Sequence, residues 1–503
     1  MWIHSTLVFL ALLVVLPGWA MLARPAAGSQ SNPRHSKKQK ENLDAINLNT
    51  KPRKDEDGRL TIYDINFALG LHEIFTDGDV VPSPYVSQAV SGAGGAPSLF
   101  RSRFQRSAPF RDSQYPATIW TNGVNWDFDP TLSELPQPWG PTLTRDVLDQ
   151  TAKDAITAAI AFWQQNTCIT FNRVNAATAD PSMYPIVVFY PGAGCGSPVG
   201  RLASADFQKI SIANGCEAVY IAAHEIGHTL GMHHTQRRYD RDDSIYIDTS
   251  NIMTGHLGSF AKQTTDNNYN YDIPYDFRSV MHYSPELFAI NASKPVIYAL
   301  NPAYQQSVGS QQLPSFVDVA MMNLHYSCYD RCNTSGTFCY YGGYPNPNNC
   351  KVCQCPNGFG GDDCSLPEPP TNGLTCGGQF IATSDWQVLN VVNQVGNGQK
   401  DITLDSASPS MCTYQIFAPT GSQVQFSVLF VGADYRNDYQ CYDECYEGGV
   451  SIKGIGSSWK PQGMRICCPA QCNQIMNTTS NLLVVQPYNF NYYTDFIVKY
   501  KIA

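Results

Sequence analysis

A chain of 503 residues is too long for one core of ordinary size, so several domains are expected. Charged residues make up 15% and aromatics 12%, a balance that suits folded modules and excludes a chain dominated by disorder. The net charge of −9 excludes a general nucleic-acid binder, which needs a basic face for phosphates.

The N-terminal apolar run over 7–16 is broken by Pro17 and Gly18 and followed by the small residue Ala20. This pattern reads as a cleaved signal peptide over 1–20, although the preceding stretch has His4 and no Lys or Arg. An uncleaved anchor is the alternative. The break leaves the run short for a spanning helix and no later run is long enough, so no stable membrane span is expected. Residues 34–57 are rich in Lys, Arg, Asn and Asp and predict a loosely ordered segment. A Gly/Ala/Ser/Pro linker follows over 91–98, and then a basic stretch over 101–106 ending at Arg106. Basic residues on an exposed flexible segment suit a processing protease, and residues 21–106 are assigned as a propeptide.

A helix is predicted over 144–165, where Leu148, Ala152, Ala155, Ile156, Ala159, Ile160 and Trp163 recur at helical spacing. Residues 168–171 and 186–190 read as strands from their β-branched and aromatic content. Together they predict an α+β domain with a mixed sheet over 107–328. The 17 cysteines are crowded toward the C-terminus, with none before Cys168 and fourteen from Cys328 onward. That crowding reads as a disulfide framework made in an oxidising compartment, and with the signal peptide it predicts a secreted, extracellular protein. A small bridged module is expected over 329–365, then a stiff Pro-rich linker over 366–370. Alternating runs over 424–430 and 496–500 predict an all-β sandwich over 376–503. Asn291, Asn333 and Asn477 each begin an Asn-x-Ser/Thr triplet and are candidate glycan sites.

The chemistry is concentrated in His224-Glu-Ile-Gly-His-Thr-Leu-Gly-Met-His-His234. His224 and His228 are four apart, so on a helix predicted over 218–230 they share one face. Gly231 can take the left-handed conformation that ends the helix and turns the chain back. Either His233 or His234 could then reach the same metal, and the spacing HExxHxxGxxH selects His234. Three neutral imidazoles leave a tetrahedral Zn²⁺ one open position, as a catalytic site requires. Glu225, beside the first ligand, is placed to take a proton from an attacking water and return it to a leaving amine.

Beyond His234 the chain continues Thr-Gln-Arg-Arg238-Tyr-Asp240-Arg241-Asp242, and Ser279-Val-Met281-His-Tyr283 follows downstream. With the stretch Gly194-Cys-Gly-Ser-Pro-Val-Gly-Arg201, these motifs resemble the astacin family of metzincin metallopeptidases over about 115–328. The resemblance implies a secreted zinc metalloendopeptidase made as a zymogen, with one Zn²⁺ per catalytic domain on His224, His228 and His234. Glu225 would be the general base and Met281 the apolar floor beneath the metal. Tyr283 would be a movable ligand that stabilises the oxyanion. The implied bridges are Cys168–Cys328 and Cys195–Cys216. The family has Glu where this chain has Thr235, so whatever that residue contacts must differ here. Family zymogens place an Asp on the zinc. In Phe75-Thr-Asp77-Gly78-Asp79 the latch is assigned to Asp79, with Asp77 in reserve.

The cysteine-rich module resembles an EGF-like domain, which implies Cys332–Cys350, Cys339–Cys353 and Cys355–Cys364. The last module resembles a CUB domain, which implies Cys376–Cys412 and offers a surface for a protein or glycan partner. Adjacent Cys467 and Cys468 are expected to pair elsewhere, and one of Cys441, Cys445, Cys467, Cys468 and Cys472 is left over. The order of modules is similar to that of nematode astacins associated with cuticle and hatching, and the substrates expected are extracellular proteins of cuticle or matrix. The competing function is a non-catalytic adhesion or scaffold protein; the complete His224/Glu225/His228/His234 set argues against it.

Overall fold

The structure, a computed structural model, describes residues 62, 65–66, 75, 77–81, 107–129, 148, 150–309, 312–334, 336–396, 398, 409–432, 445–490 and 492–503. All belong to one compact unit, Ile46–Ala503. The expected signal peptide over 1–20, the loosely ordered segment expected over 34–57, the linker expected over 91–98, the basic stretch over 101–106 and Cys441 lie outside the described residues.

In chain order come β1 (Ser107–Phe110), β2 (Val124–Phe128), α1 (Gln150–Asn166), β3 (Phe171–Arg173), β4 (Ile186–Tyr190), β5 (Cys195–Gly196), β6 (Phe207–Ile212) and α2 (Val219–Thr229). The central sheet has the order β3-β2-β4-β6-β5. Its first four strands are parallel and β5 is an antiparallel edge. β4 reads Ile-Val-Val-Phe-Tyr with its first four side chains buried, as a parallel strand covered on both faces requires. The predicted apolar stripe of α1 is buried, and Trp163 donates its indole N–H to the Ala223 carbonyl of α2 at 3.1 Å. That bond holds the metal-motif helix against α1.

The strand expected over 168–171 is displaced, because α1 ends in a side-chain turn. The Thr167 hydroxyl donates to the Trp163 carbonyl at 2.6 Å and accepts the Ile169 N–H at 3.2 Å. Cys168 and Ile169 therefore lie in the turn, and β3 begins only at Phe171.

After α2 come β7 (Ile245–Ile247), β8 (Asn268–Asn270), β9 (Ile297–Ala299) and α3 (Phe316–His325). β1 pairs with β8 and β7 with β9, both antiparallel. α3 opens with a capping box in which the Ser315 hydroxyl accepts the Asp318 N–H and the Asp318 carboxylate accepts the Ser315 N–H. Cys168–Cys328 ties the end of α1 to the chain beyond α3, and Cys195–Cys216 ties β5 to the segment before α2.

β10 (Tyr344–Asn346) and β11 (Asn349–Gln354) form a hairpin stapled by Cys332–Cys350, Cys339–Cys353 and Cys355–Cys364. Bridges substitute here for a core that so short a segment cannot build. The Asn348 amide donates to the carbonyls of Gln164, Gln165 and Thr167, satisfying acceptors left open at the end of α1.

The remaining strands are β12 (Gly378–Ile381), β13 (Gln387–Val391), β14 (Ser410–Met411), β15 (Tyr414–Phe417), β16 (Val424–Gly432), β17 (Gly448–Lys453), β18 (Met464–Ile466), β19 (Met476–Asn477), β20 (Leu482–Asn489) and β21 (Asp495–Ile502). One sheet runs β12-β15-β20-β17-β18 with β14 beside β20, and the other runs β13-β21-β16-β19. Ile416, Val450, Ile452 and Val485 of the first share one apolar core with Phe426, Val428, Phe496 and Val498 of the second. Cys376–Cys412 and Cys445–Cys467 are bridged and Cys468 is also disulfide-bonded, so the adjacent cysteines do not pair with each other. Among the described residues the cysteine left over is Cys472, which is buried. No helix among them is long and apolar enough to cross a membrane.

Candidate metal centre

α2 is apolar on nearly every side, and Ile221 through Thr229 are all buried. A helix sunk in the core presents its polar side chains only to other protein groups, so each of its two histidines has a defined partner. The His224 Nδ1–H donates to the Val280 carbonyl at 2.7 Å, and the His228 Nδ1–H donates to the Met232 carbonyl at 2.8 Å. A carbonyl can only accept, so in both rings the proton sits on Nδ1 and the lone pair on Nε2.

Those two Nε2 atoms lie 3.1 Å apart. Two lone pairs at that distance repel unless a cation lies between them. Gly231, at φ +110°, turns the chain after α2 and brings His234 back to the same point. His234 Nε2 lies 3.2 Å from Asp79 Oδ1, while Asp79 Oδ2 is 3.2 Å from His224 Nε2. One ligand atom from each of Asp79, His224, His228 and His234 lies within 4.8 Å of every other, and all four residues are buried. Burial holds His234 down to about 4 and lowers His228 as well, which keeps both imidazoles neutral near pH 7. Burial opposes charge on Asp79 too, and His224 and His228 turn lone pairs rather than N–H groups toward its carboxylate, so a cation at this point is what would keep it ionised. Neutral nitrogen donors around one point, with a carboxylate facing them, fit a Zn²⁺ ion. His233 does not join the cluster; it is half-buried and packs its ring edge-on to Phe110.

Glu225 is fully buried, and neither carboxylate oxygen has a hydrogen-bond partner among the described residues. Burial, reinforced by the charge of Asp79, raises its pKa well above the ordinary value. An orphaned carboxyl beside a metal-binding cluster is placed to exchange a proton with a molecule in the cleft. Met281 is fully buried beneath α2, where a Cβ on Gly227 would meet its sulfur at 3.0 Å. The loop carrying it is pinned by Asp318, which accepts the Ser279 hydroxyl at 2.5 Å and the Val280 N–H at 2.9 Å. The Thr235 hydroxyl bonds Ser279 Oγ at 2.8 Å, so at the position where the sequence departs from the family pattern the side chain ties the third histidine's loop to the Met281 loop. The Tyr283 ring lies against His234, centroids 4.7 Å apart, and its hydroxyl donates to the Asp77 carbonyl.

The segment carrying Asp79 lies along the β5 edge of the sheet. Ser197 N–H donates to the Asp79 carbonyl at 3.2 Å, and Val81 N–H donates to the Ser197 carbonyl at 3.1 Å. Asn66 bonds both the carbonyl and the N–H of Cys195 and also reaches the Gly78 carbonyl. Gly196 permits this approach, since a Cβ there would sit 2.7 Å from the Asp79 carbonyl. Asp77 pairs with Arg237 and does not join the histidine cluster. Neither Asn66 nor Arg237 carried a signal in the sequence, because each is defined by a partner far away in the chain. Asn291, Asn333 and Asn477 are all exposed.

The profile of the peptidase family described as Astacin matches residues 142–327. Zinc metalloproteinase nas-31 of Caenorhabditis elegans is 33% identical over 442 residues, covering 88% of this chain and 65% of that one. The chain thus spans about two thirds of that relative's length. Zinc metalloproteinase nas-27 of the same organism is 31% identical over 363 residues, covering 70% of this chain and 80% of that one. Among solved structures, High choriolytic enzyme 1, a hatching enzyme zinc-protease from Oryzias latipes, is 25% identical over 43% of this chain and 98% of its own, with a TM-score of 0.36. On the profile match and these relatives, the chain belongs to the astacin family of zinc metallopeptidases.

Proposed function

We propose that the protein is a secreted zinc metalloendopeptidase that hydrolyses peptide bonds in extracellular proteins of cuticle or matrix. The observation that carries this reading is the convergence of two Nδ1-locked imidazoles and His234 on one point beside the partnerless carboxyl of Glu225. His224, His228 and His234 would hold one Zn²⁺, which when bound supplies Lewis acidity toward a water and a scissile carbonyl. Glu225 takes the proton of the attacking water and returns it to the leaving amine, from a carboxyl that no other described residue engages in a hydrogen bond. Tyr283, freed from the Asp77 carbonyl, donates its hydroxyl to the developing oxyanion.

The same reading makes Asp79 a latch. Its carboxylate fills the place where substrate and water must enter, so the chain is made inactive and gains activity when the segment before Ser107 is removed. The bridged hairpin is assigned as an EGF-like module over 329–365, and the two-sheet unit over 376–503 as a CUB domain that binds a protein or glycan partner. Seven located bridges support folding in an oxidising compartment. Exposed Asn291, Asn333 and Asn477 are the glycan acceptors.

The test is cleavage of a fluorogenic peptide library by processed protein, with and without a zinc chelator and against a Glu225→Ala control. Chelator-sensitive cleavage absent from the control supports the reading, and no chelator-sensitive cleavage rejects it.

A further inference from the structure

Lys453 ends β17 and is only 3% exposed, a rare place for an ammonium. Its Nζ donates to the Trp459 carbonyl at 2.5 Å and to the Asn357 carbonyl of the bridged segment at 2.9 Å. Burial lowers its pKa to about 7, and the charges of Asp276 and Glu368 oppose that fall. These neighbours come from three parts of the chain: Asn357 from the bridged segment, Glu368 from the Pro-rich linker, and Asp276 from the domain that carries the metal point. Glu368 is itself fixed, since it accepts the Gly358 N–H at 2.7 Å and the Gln486 amide at 2.9 Å.

Asp276 begins the loop that carries Met281 and Tyr283. Its Oδ1 accepts the Arg278 N–H at 3.2 Å, while its buried Oδ2 has no hydrogen-bond partner among the described residues. Burial raises the carboxyl to about 6, and the Ser315 hydroxyl, the Gln462 N–H and the Lys453 charge pull it back down. Two of those three groups belong to the C-terminal two-sheet unit. A second line of contact runs beside this one. Tyr304 packs against the apolar core of that unit and stacks on Phe277, with centroids 5.1 Å apart, and Phe277 meets Tyr275 edge-on at 5.3 Å. The His282 Nδ1–H donates to the Tyr283 carbonyl at 2.7 Å, so its Nε2 accepts the Tyr275 hydroxyl at 2.7 Å. Both lines end on the segment 275–283.

We propose that the C-terminal two-sheet unit braces this loop, and that Lys453 is a positioning residue that acts on Tyr283 through Asp276. This rests on the endopeptidase reading above, in which Tyr283 serves the oxyanion. Without the ammonium, the buried Asp276 carboxylate loses a compensating charge, so it takes up a proton or moves toward water. Either change loosens the start of the loop, and a displacement on the order of 1 Å at an oxyanion donor is enough to slow turnover. The metal point is spared, because Ser279 and Val280 keep their own anchor on Asp318.

The experiment compares the processed full-length parent with Lys453→Met, Asp276→Asn, the double variant and Tyr304→Leu. Lys499→Met, on β21 of the other sheet, is the control and is expected to match the parent. kcat, KM and zinc content are read on each preparation. Lys453→Met is expected to lower kcat by about threefold to tenfold, with KM and zinc at the parent level. Asp276→Asn does the same, and the double variant loses no more than the worse single one, as residues acting as one unit do. Tyr304→Leu reaches the loop through the ring contacts, lowers kcat in the same way, and decides the matter if Lys453→Met does not fold. Unchanged kcat in the folded variants, losses that multiply in the double variant, or losses that track departing zinc overturn the proposal. A parent with no chelator-sensitive cleavage instead rejects the endopeptidase reading itself.

Discussion

Asp79 Oδ1 lies 3.2 Å from His234 Nε2, and both side chains are fully buried. On the proposed latch role, a carboxylate in that position blocks the open side of the metal centre from a segment that chain cleavage would remove. Asp79→Ala is therefore expected to give the unprocessed chain measurable chelator-sensitive peptidase activity where the parent unprocessed chain has little. Steady-state assays on protein kept intact with inhibitors of processing check this. Equal activity before and after the substitution would remove Asp79 from the latch.

In the proposed mechanism Glu225 contributes through proton transfer, so its loss separates chemistry from metal binding. Glu225→Gln is expected to lower kcat by about 10²- to 10⁴-fold while zinc content stays at the parent level. Rates paired with metal analysis of one preparation decide it. Loss of zinc together with activity would make Glu225 a structural residue.

Gly231 sets where His234 arrives. At φ +110°, with the His325 Nε2 atom 3.3 Å from where a Cβ would be, any L side chain is both strained and crowded. Gly231→Ala should cost about 1–2 kcal/mol of stability and weaken zinc retention in competition with a chelator. Thermal melts with and without chelator measure both effects.

His325 supplies a pH dependence away from the metal. Burial holds it down to about 3, while its Nδ1 pairs with the Tyr271 hydroxyl at 2.9 Å. The unfolded chain takes up a proton near pH 6.5 that the folded chain refuses. Stability from this group is thus present above about pH 6.5 and is lost as pH falls toward 3. The melting temperature is expected to drop across that window, and less steeply in His325→Gln. Equal slopes in both proteins would show that His325 is not the group responsible.

Much of the metal centre was legible because it is local. His224, Glu225 and His228 sit on one helical turn, and Gly231 and His234 complete the motif within a few residues. Strand β4 was legible for a similar reason, since a run of β-branched and aromatic residues leaves few alternatives. The turn at Thr167 was not, because its hydroxyl competes for the backbone in a way that side-chain pattern does not encode. Asn66 and Arg237 were invisible for another reason. Each is an ordinary polar residue until the fold brings it to Cys195 or to Asp77. The Thr235 departure was visible as a difference, but its partner Ser279, 44 positions away, became apparent only in three dimensions.

The account stands most directly on metal content. Elemental analysis of purified, processed protein is predicted to find one zinc per chain, and none in His228→Ala. Wild-type protein without a stoichiometric divalent metal, or His228→Ala that keeps its full complement, would contradict the assignment of His224, His228 and His234 as one site.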